Sequence, residues 1–273
     1  MTGPDISSAT QPNQTAVYRR YVQLQVDLAR RFPDSSADGF SGLLLLCVGF
    51  GLEGAEMALA TTISGGTFLG VDLSTEHLKA AVRNGSCDFM VNTLDESLRV
   101  LKNELRKKKA LSVGLLGEAT AILPAMVERG VQPDLVTDSS ASNNETPLPC
   151  QASLQEFIER GAILVDPNAT RDSHADEFLE VIWTASTIAD LRQMDDLALQ
   201  QLPVGDSIRR RWLQHAPAYF HRQRPLQRIL GMPHGEVAPL AEQFKKAILA
   251  GEIQSPATLQ QQTEKGSMQL IEL

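Results

Sequence analysis

No stretch of the 273 residues approaches the ~20 consecutive apolar side chains that a membrane-spanning helix needs. The longest apolar run, Gly42 to Leu52, is broken by glycines. The basic start and apolar stretch of a secretory signal are missing from Met1 to Thr15. Positive charge is also short: 25 Lys+Arg stand against 33 Asp+Glu, giving a net charge of −8 and a pI near 5.2. That balance argues against nucleic-acid binding as a property of the whole chain. Cysteine is scarce, and Cys47, Cys87 and Cys150 are odd in number and widely spaced. Reduced thiols in a cytoplasmic protein fit this better than a disulfide framework or a metal site. His215 and His221 flank Pro217 with no carboxylate or cysteine at ligand spacing, which speaks against a metal there too. Internal repeats are absent, and no nucleophile and base stand in a hydrolase-like pattern.

What is there is an ordinary globular mixture, 42% hydrophobic and 21% charged, long enough for one large domain or two modest ones. Residues 1–15, rich in Ser, Thr, Pro and Gln, read as a disordered leader. Val17, Tyr21, Leu24, Leu28 and Phe32 recur at spacings of three and four, which predicts an amphipathic helix over Ala16–Phe32, ended by Pro33. Strands are expected at Leu43–Val48, Thr67–Val71, Asp88–Val91, Leu111–Leu116 and Leu135–Thr137. Helices are expected between them at Ala55–Ile63, Thr75–Val82, Leu94–Lys107 and Glu118–Glu128. Alternation of this kind predicts an α/β fold, a Rossmann-like, doubly wound, mostly parallel sheet; the unbroken apolar strands imply cover on both faces. A helix over Leu154–Arg160, closed by Gly161, and a short strand at Ala162–Val165 complete a domain spanning 16–171. Residues 172–257 read as mainly helical, with prolines as breaks, and 258–273 as a flexible tail.

The sharpest motif is Gly49-Phe50-Gly51-Leu52-Glu53-Gly54, which satisfies G-x-G-x-x-G and sits where an apolar strand gives way to a helix. Gly49 permits the tight turn, Gly51 lets backbone approach a pyrophosphate, and Gly54 allows close helix–strand packing. Amides at the helix start are then free for phosphate oxygens. Asp72, 18 residues after Gly54 at the end of the next strand, is placed to accept hydrogen bonds from a ribose diol. Two other readings stay open on these residues. A glycine-rich turn can simply join strand to helix. Gly70-Val71-Asp72-Leu73-Ser74 also looks like the second strand of an S-adenosylmethionine-dependent methyltransferase, whose ligand offers the same ribose. Glu53 repels a pyrophosphate unless its side chain points away.

Ser112-Val113-Gly114-Leu115-Leu116-Gly117-Glu118-Ala119, followed by Leu123-Pro124, Arg129-Gly130-Val131, Pro133-Asp134 and Val136-Thr137-Asp138, resembles urocanase (urocanate hydratase). The family pattern there runs S-V-G-L-x-G-N-A-A, then P-E-L, R-R-G-V-x-P-D and T-D-Q-T-S-A-H-D. The family's glycine loop is matched at Gly49, Gly51, Gly54, Leu59 and Ala60, and its ribose-binding acidic position at Asp72. Arg228-Ile229, Gly235, Phe244, Gly251-Glu252 and Pro256 continue the match, so the resemblance covers about residues 17 to 256.

That resemblance implies an NAD-binding Rossmann-like domain, of the kind inserted in urocanases into a separate core that holds urocanate. NAD there is an electrophile that forms an adduct with the substrate imidazole, opening it to water in histidine degradation. By analogy the cofactor-binding positions are Gly49, Gly51, Gly54, Asp72, His77, Gly117, Glu118, Ala119 and Asp138; His77 lies near the family's cofactor-contacting arginine. The departures concern chemistry. Flanking core segments of the family are missing, Glu118 replaces an asparagine, and Ser139-Ser140-Ala141-Ser142-Asn143-Asn144 replaces Q-T-S-A-H-D. Leu230 stands in place of the active-site cysteine, and Ile182, before Trp183, in place of a substrate-side arginine. The expectation is a urocanase-like module that binds NAD or a related nucleotide and lacks complete hydratase activity. A hydratase completed by a partner chain or homo-oligomer, or a pseudoenzyme interaction subunit, are the alternatives, with a methyltransferase behind them.

Two basic segments remain. Ser207 to Arg228 carries Arg209, Arg210, Arg211, Arg222, Arg224 and Arg228 with Trp212, Tyr219 and Phe220 interleaved, and is a candidate protein or self-association surface. Lys102 to Lys109 places five basic residues at a helix end, where cations suit the dipole.

Overall fold

A computed structural model describes residues 11–31, 39–139, 148–166, 178–263 and 267–273. Most of the expected leader and the 140–144 segment lie outside them. The chain divides into two compact units, Met1–Ala169 and Thr170–Leu273.

The first unit opens with α1 (Gln14–Arg31), which buries Val17, Tyr21, Leu24 and Leu28 of the stripe read from spacing and Tyr18 besides, and begins inside the expected leader; Phe32 and Pro33 lie outside the described residues. Then follow β1 (Leu44–Val48), α2 (Leu52–Ile63), β2 (Thr67–Asp72), α3 (Thr75–Asn84), β3 (Phe89–Val91), α4 (Leu94–Arg106), β4 (Leu111–Leu116), α5 (Ala119–Glu128), β5 (Leu135–Asp138), α6 (Leu148–Glu159) and β6 (Ile163–Leu164). All six strands pair in parallel, in the order β3-β4-β2-β1-β5-β6. The inner strands β1, β2, β4 and β5 are buried on both sides, as their unbroken apolar runs require. Leu44, Leu46, Val48, Leu69, Val71, Val113 and Leu115 pack against Leu101 of α4, Leu123 and Met126 of α5, and Leu154 and Phe157 of α6. On the opposite face Gly114 leaves room for Leu78 of α3, which a β-carbon there would meet at 2.7 Å.

Helix ends follow local chemistry. Ser74 accepts the His77 N–H and Thr93 the Glu96 N–H as N-caps, and Gly85 closes α3 at a φ of 80°, where a side chain would be strained. β1 has β2 on one side and β5 on the other, so the chain reverses direction across the sheet between β4 and β5. The carboxyl ends of β1 and β5 form the edge of a crevice at that reversal, the usual ligand position in open α/β sheets.

The second unit differs from expectation. Its helices α7 (Ile188–Gln201), α8 (Ser207–Phe220) and α9 (His234–Leu249) are accompanied by an antiparallel sheet of β7 (Phe178–Ala185), β8 (Gln227–Pro233), β9 (Ala257–Gln262) and β10 (Met268–Ile271), in the order β10-β9-β7-β8. The segment expected as a flexible tail is therefore a strand pair, Gln262 opposite Met268 and Leu259 opposite Ile271. Its polar run Gln260-Gln261-Gln262 carries almost no hydrophobic signal; ladder pairing and the single buried Leu259 hold it. Within this unit Arg228 and Asp195 form a buried ion pair at 2.8 Å, and Trp183 Nε1 donates to the same carboxylate at 2.9 Å. Burial raises the Asp195 carboxyl, with the Arg228 charge pulling the other way.

Candidate functional site

The glycine loop is built from below. Gly49 follows β1 at a φ of 88°, in the left-handed region that favours glycine, and its N–H donates to the Val71 carbonyl at 2.8 Å. Phe50 turns its ring down into the unit, edge-on to Phe68 at 5.3 Å. Gly70 makes room for that ring, since a β-carbon there would sit 2.3 Å from Phe50 Cδ2. The ring is thus packed under the loop.

The two remaining glycines divide the work. Gly54 lies hard against the turn, and a β-carbon on it would stand 2.3 Å from the Gly49 carbonyl oxygen. Gly51, the N-cap of α2, has ordinary extended dihedrals, and a β-carbon there would meet nothing within 4 Å. The first helical hydrogen bond of α2 runs from Ala55 N–H to Gly51 C=O at 2.9 Å. The amides of Leu52, Glu53 and Gly54 therefore have no carbonyl one turn back to receive them. Donors with a partial positive charge border an open space beside Gly51, which is what an anion requires.

Asp72 connects this loop to the next strand. Its Oδ2 accepts the Phe50 N–H at 2.6 Å and faces His77 Nδ1 at 3.0 Å; its Oδ1 accepts the Ser74 N–H at 2.7 Å. The carboxylate is only 10% exposed, while His77 is 52% exposed on α3. Asp72 is thus both the acidic group at the expected ribose position and the anchor of the glycine turn. Gly117 donates its N–H to the Asp72 carbonyl at 3.0 Å, bringing the end of β4 alongside. Glu118 is exposed, and its backbone carbonyl receives the Ala121 and Ile122 N–H groups at the start of α5, whose first residue is Ala119. Asp138, half-buried at the end of β5, pairs in register with Val48, one residue before the loop. Gly49, Gly51, Gly54, Asp72 and His77 thus form one cluster, with Gly117–Ala119 and Asp138 at the neighbouring strand ends.

Two contributors escaped the sequence reading. Ser139, seen only as a lost glutamine, donates to the Val48 and Gly49 carbonyls at 3.1 Å each and hooks β5 to the turn. Phe50 and Gly70 act as a pair; the glycine inside an apolar strand was the available signal. Cys47, beside Ser139 at 3.1 Å, is inert, because burial pushes its thiol up to about 12 against the opposing Ser139 hydrogen bond. Glu53 shares a helix face with Glu56, one turn on, which is buried and bonded to Arg20 of α1 at 3.1 Å. Glu53 Oε2 is buried, with no hydrogen-bond partner among the described residues. Burial, more than the neighbouring Arg20 can offset, raises the Glu56 carboxyl.

Part of the arginine-rich segment is committed inside the second unit, while Arg222 and Arg224 are exposed. Arg209 pairs with Asp206 and Glu236, Arg210 donates to the Leu199 and Leu202 carbonyls, and Arg228 is buried on Asp195, while Trp212 and Phe220 are core. Leu230 is fully buried on β8. Among the described residues no group of three or more His, Cys, Asp or Glu is placed to hold a metal, and no helix is long and apolar enough to cross a membrane.

A family model of the urocanase Rossmann-like domain matches residues 25–185, more than half of the chain, and the chain belongs to that family. Three solved structures are distant likenesses. PKMT2 from Rickettsia typhi is 14% identical with a TM-score of 0.31, over 70% of this chain and 29% of that one. The E. coli tRNA N6-threonylcarbamoyladenosine dehydratase TcdA is 15% identical with a TM-score of 0.28, over 62% of this chain and 67% of that one. Its complex with ATP is 13% identical with a TM-score of 0.28, over 85% and 96%. This chain spans less than a third of the length of the Rickettsia protein.

Proposed function

We propose that this member of the urocanase family binds a dinucleotide of the NAD type at the carboxyl ends of β1, β2, β4 and β5, and that it does not hydrate urocanate by itself. The reading rests above all on the contrast between Gly54, which is closed by backbone, and Gly51, which opens onto space beside unsatisfied amides. Leu52, Glu53 and Gly54 amides would hold the diphosphate. Asp72 Oδ1 keeps one acceptor position after Ser74, and His77, half in solvent, can turn aside from Oδ2 to leave a second for ribose hydroxyls. Glu53 opposes this less than its place in the loop suggests, because its Oε2 is buried in the protein. Bound NAD supplies an electrophilic nicotinium ring; Gly117–Ala119 and Asp138 are the groups beside which it would lie.

The hydratase half of the family's chemistry has no support in these side chains. Leu230 is aliphatic and buried where the resemblance places a cysteine, and Ser139 is committed to the glycine turn. Isothermal titration with NAD, joined to native mass spectrometry of the purified chain, tests the reading. Saturable NAD binding with no loss of urocanate absorbance in the near ultraviolet is expected. A folded chain that binds no NAD at millimolar concentration overturns the first half, and turnover of urocanate overturns the second.

A further inference from the structure

Charge on this acidic chain is unevenly placed. Between Arg99 and Lys109 six cations accompany one carboxylate, Glu104. Arg99, Lys102 and Arg106 recur at spacings of three and four and are exposed, so they form a stripe about 10 Å long on the outer face of α4. Beyond the helix Lys108 takes a φ of 54°, and the Lys109 N–H returns to the Glu104 carbonyl at 3.0 Å, folding the last cations back beside the stripe. Lys107 is paired with Glu104 at 3.0 Å. Arg99, Lys102, Arg106 and Lys108 have no carboxylate partner among the described residues.

Beside the stripe runs a groove of about 570 Å³, floored by Phe89, Val100 and Leu111 and rimmed by Arg99, Asn103, Lys109 and Glu104, whose carboxylate is already paired with Lys107. It borders β3, the last strand on this side, which pairs with β4 alone among the described residues. Apolar floor, basic rim and an unpaired strand edge occur together, at the opposite end of β4 from Gly117.

We infer that this face docks an acidic, extended segment of a partner protein, its carboxylates on the α4 cations and an apolar side chain in the groove. A single strand of nucleic acid would need aromatic platforms, and the one aromatic here is half-buried in the floor. A second copy of the chain offers its own cations to this patch across a two-fold axis, which repels. The inference does not depend on nucleotide binding.

Fluorescence anisotropy of the full chain with a short labelled peptide of alternating Glu and Leu tests it. Saturable binding that weakens with salt is expected, with a loss of at least about tenfold in Lys102→Glu/Arg106→Glu. Arg222→Glu/Arg224→Glu, which changes the net charge equally, should retain it. Both pairs are exposed, and circular dichroism confirms that the variants fold. Absence of binding, equal loss in the two pairs, or tighter binding of a single-stranded oligonucleotide or of phosphatidylserine vesicles overturns the inference.

Discussion

Substituting alanine at Gly51 and, separately, at Gly54 should separate ligand binding from folding. At Gly51 the backbone is extended, so alanine adds no left-handed strain, and its β-carbon enters space empty to 4 Å. Alanine caps a helix less well than glycine, yet restricts the unfolded chain by roughly 0.4–1 kcal/mol. Stability should therefore stay within about 1 kcal/mol of the parent. The same methyl group stands where a diphosphate would approach the α2 amides, so NAD affinity should fall at least about tenfold, or roughly 1.4 kcal/mol. At Gly54 the methyl group collides with the Gly49 carbonyl at 2.3 Å, and backbone cannot swing aside as a side chain can. That overpacking should cost about 1–3 kcal/mol and remove binding as well. Urea unfolding and calorimetric titration of both variants give the four numbers. NAD binding by Gly51→Ala at parental strength, or a Gly54→Ala variant as stable as the parent, would refute the reasoning.

Asp72→Asn should weaken NAD binding at least about tenfold and loosen the turn through the Phe50 bond, whereas His77→Ala should leave stability unchanged within about 0.5 kcal/mol, both read by the same titrations. The Asp190 carboxyl is held down to about 2 by the Ser255 hydroxyl first, then the Thr187 hydroxyl and the Gln254 N–H. Its charged form is thus favoured by folding, and the stability it adds is present above its ordinary value near 3.8 and lost as pH falls through about 2. Asp190→Asn should lower stability at neutral pH by about 1.5–3 kcal/mol and flatten that acid limb in urea titrations at stepped pH. Arg228→Met leaves the Asp195 carboxylate buried without its cation and should cost about 3–5 kcal/mol in chemical denaturation.

The first unit was largely legible because its strands are apolar throughout and its helices carry regular stripes. β4 has the bounds read from the sequence, and β1, β2 and β5 differ by one residue at an end. The glycine loop, too, could be read from spacing, since Gly49 and Gly54 each answer a local steric demand. Tertiary facts were not legible. Nothing in a one-dimensional pattern shows that Phe50 seats against Gly70, that Ser139 reaches the Gly49 carbonyl, or that Asp72 holds the turn it was expected only to adjoin. The second sheet escaped for a different reason: β9 and β10 are held by ladder pairing with one buried side chain between them, so periodicity has little to register. Arg209 and Arg228 looked like a surface because Glu236 and Asp195, which pair with them, lie 27 and 33 residues away along the chain.

The aromatic ring wedged beneath the first crossover has one more implication. A turn clamped from underneath keeps its shape whether or not a guest rests on it, so little freedom is left to surrender when one arrives. Replacing Phe50 by alanine would then slacken the cradle while leaving every amide in it chemically unchanged.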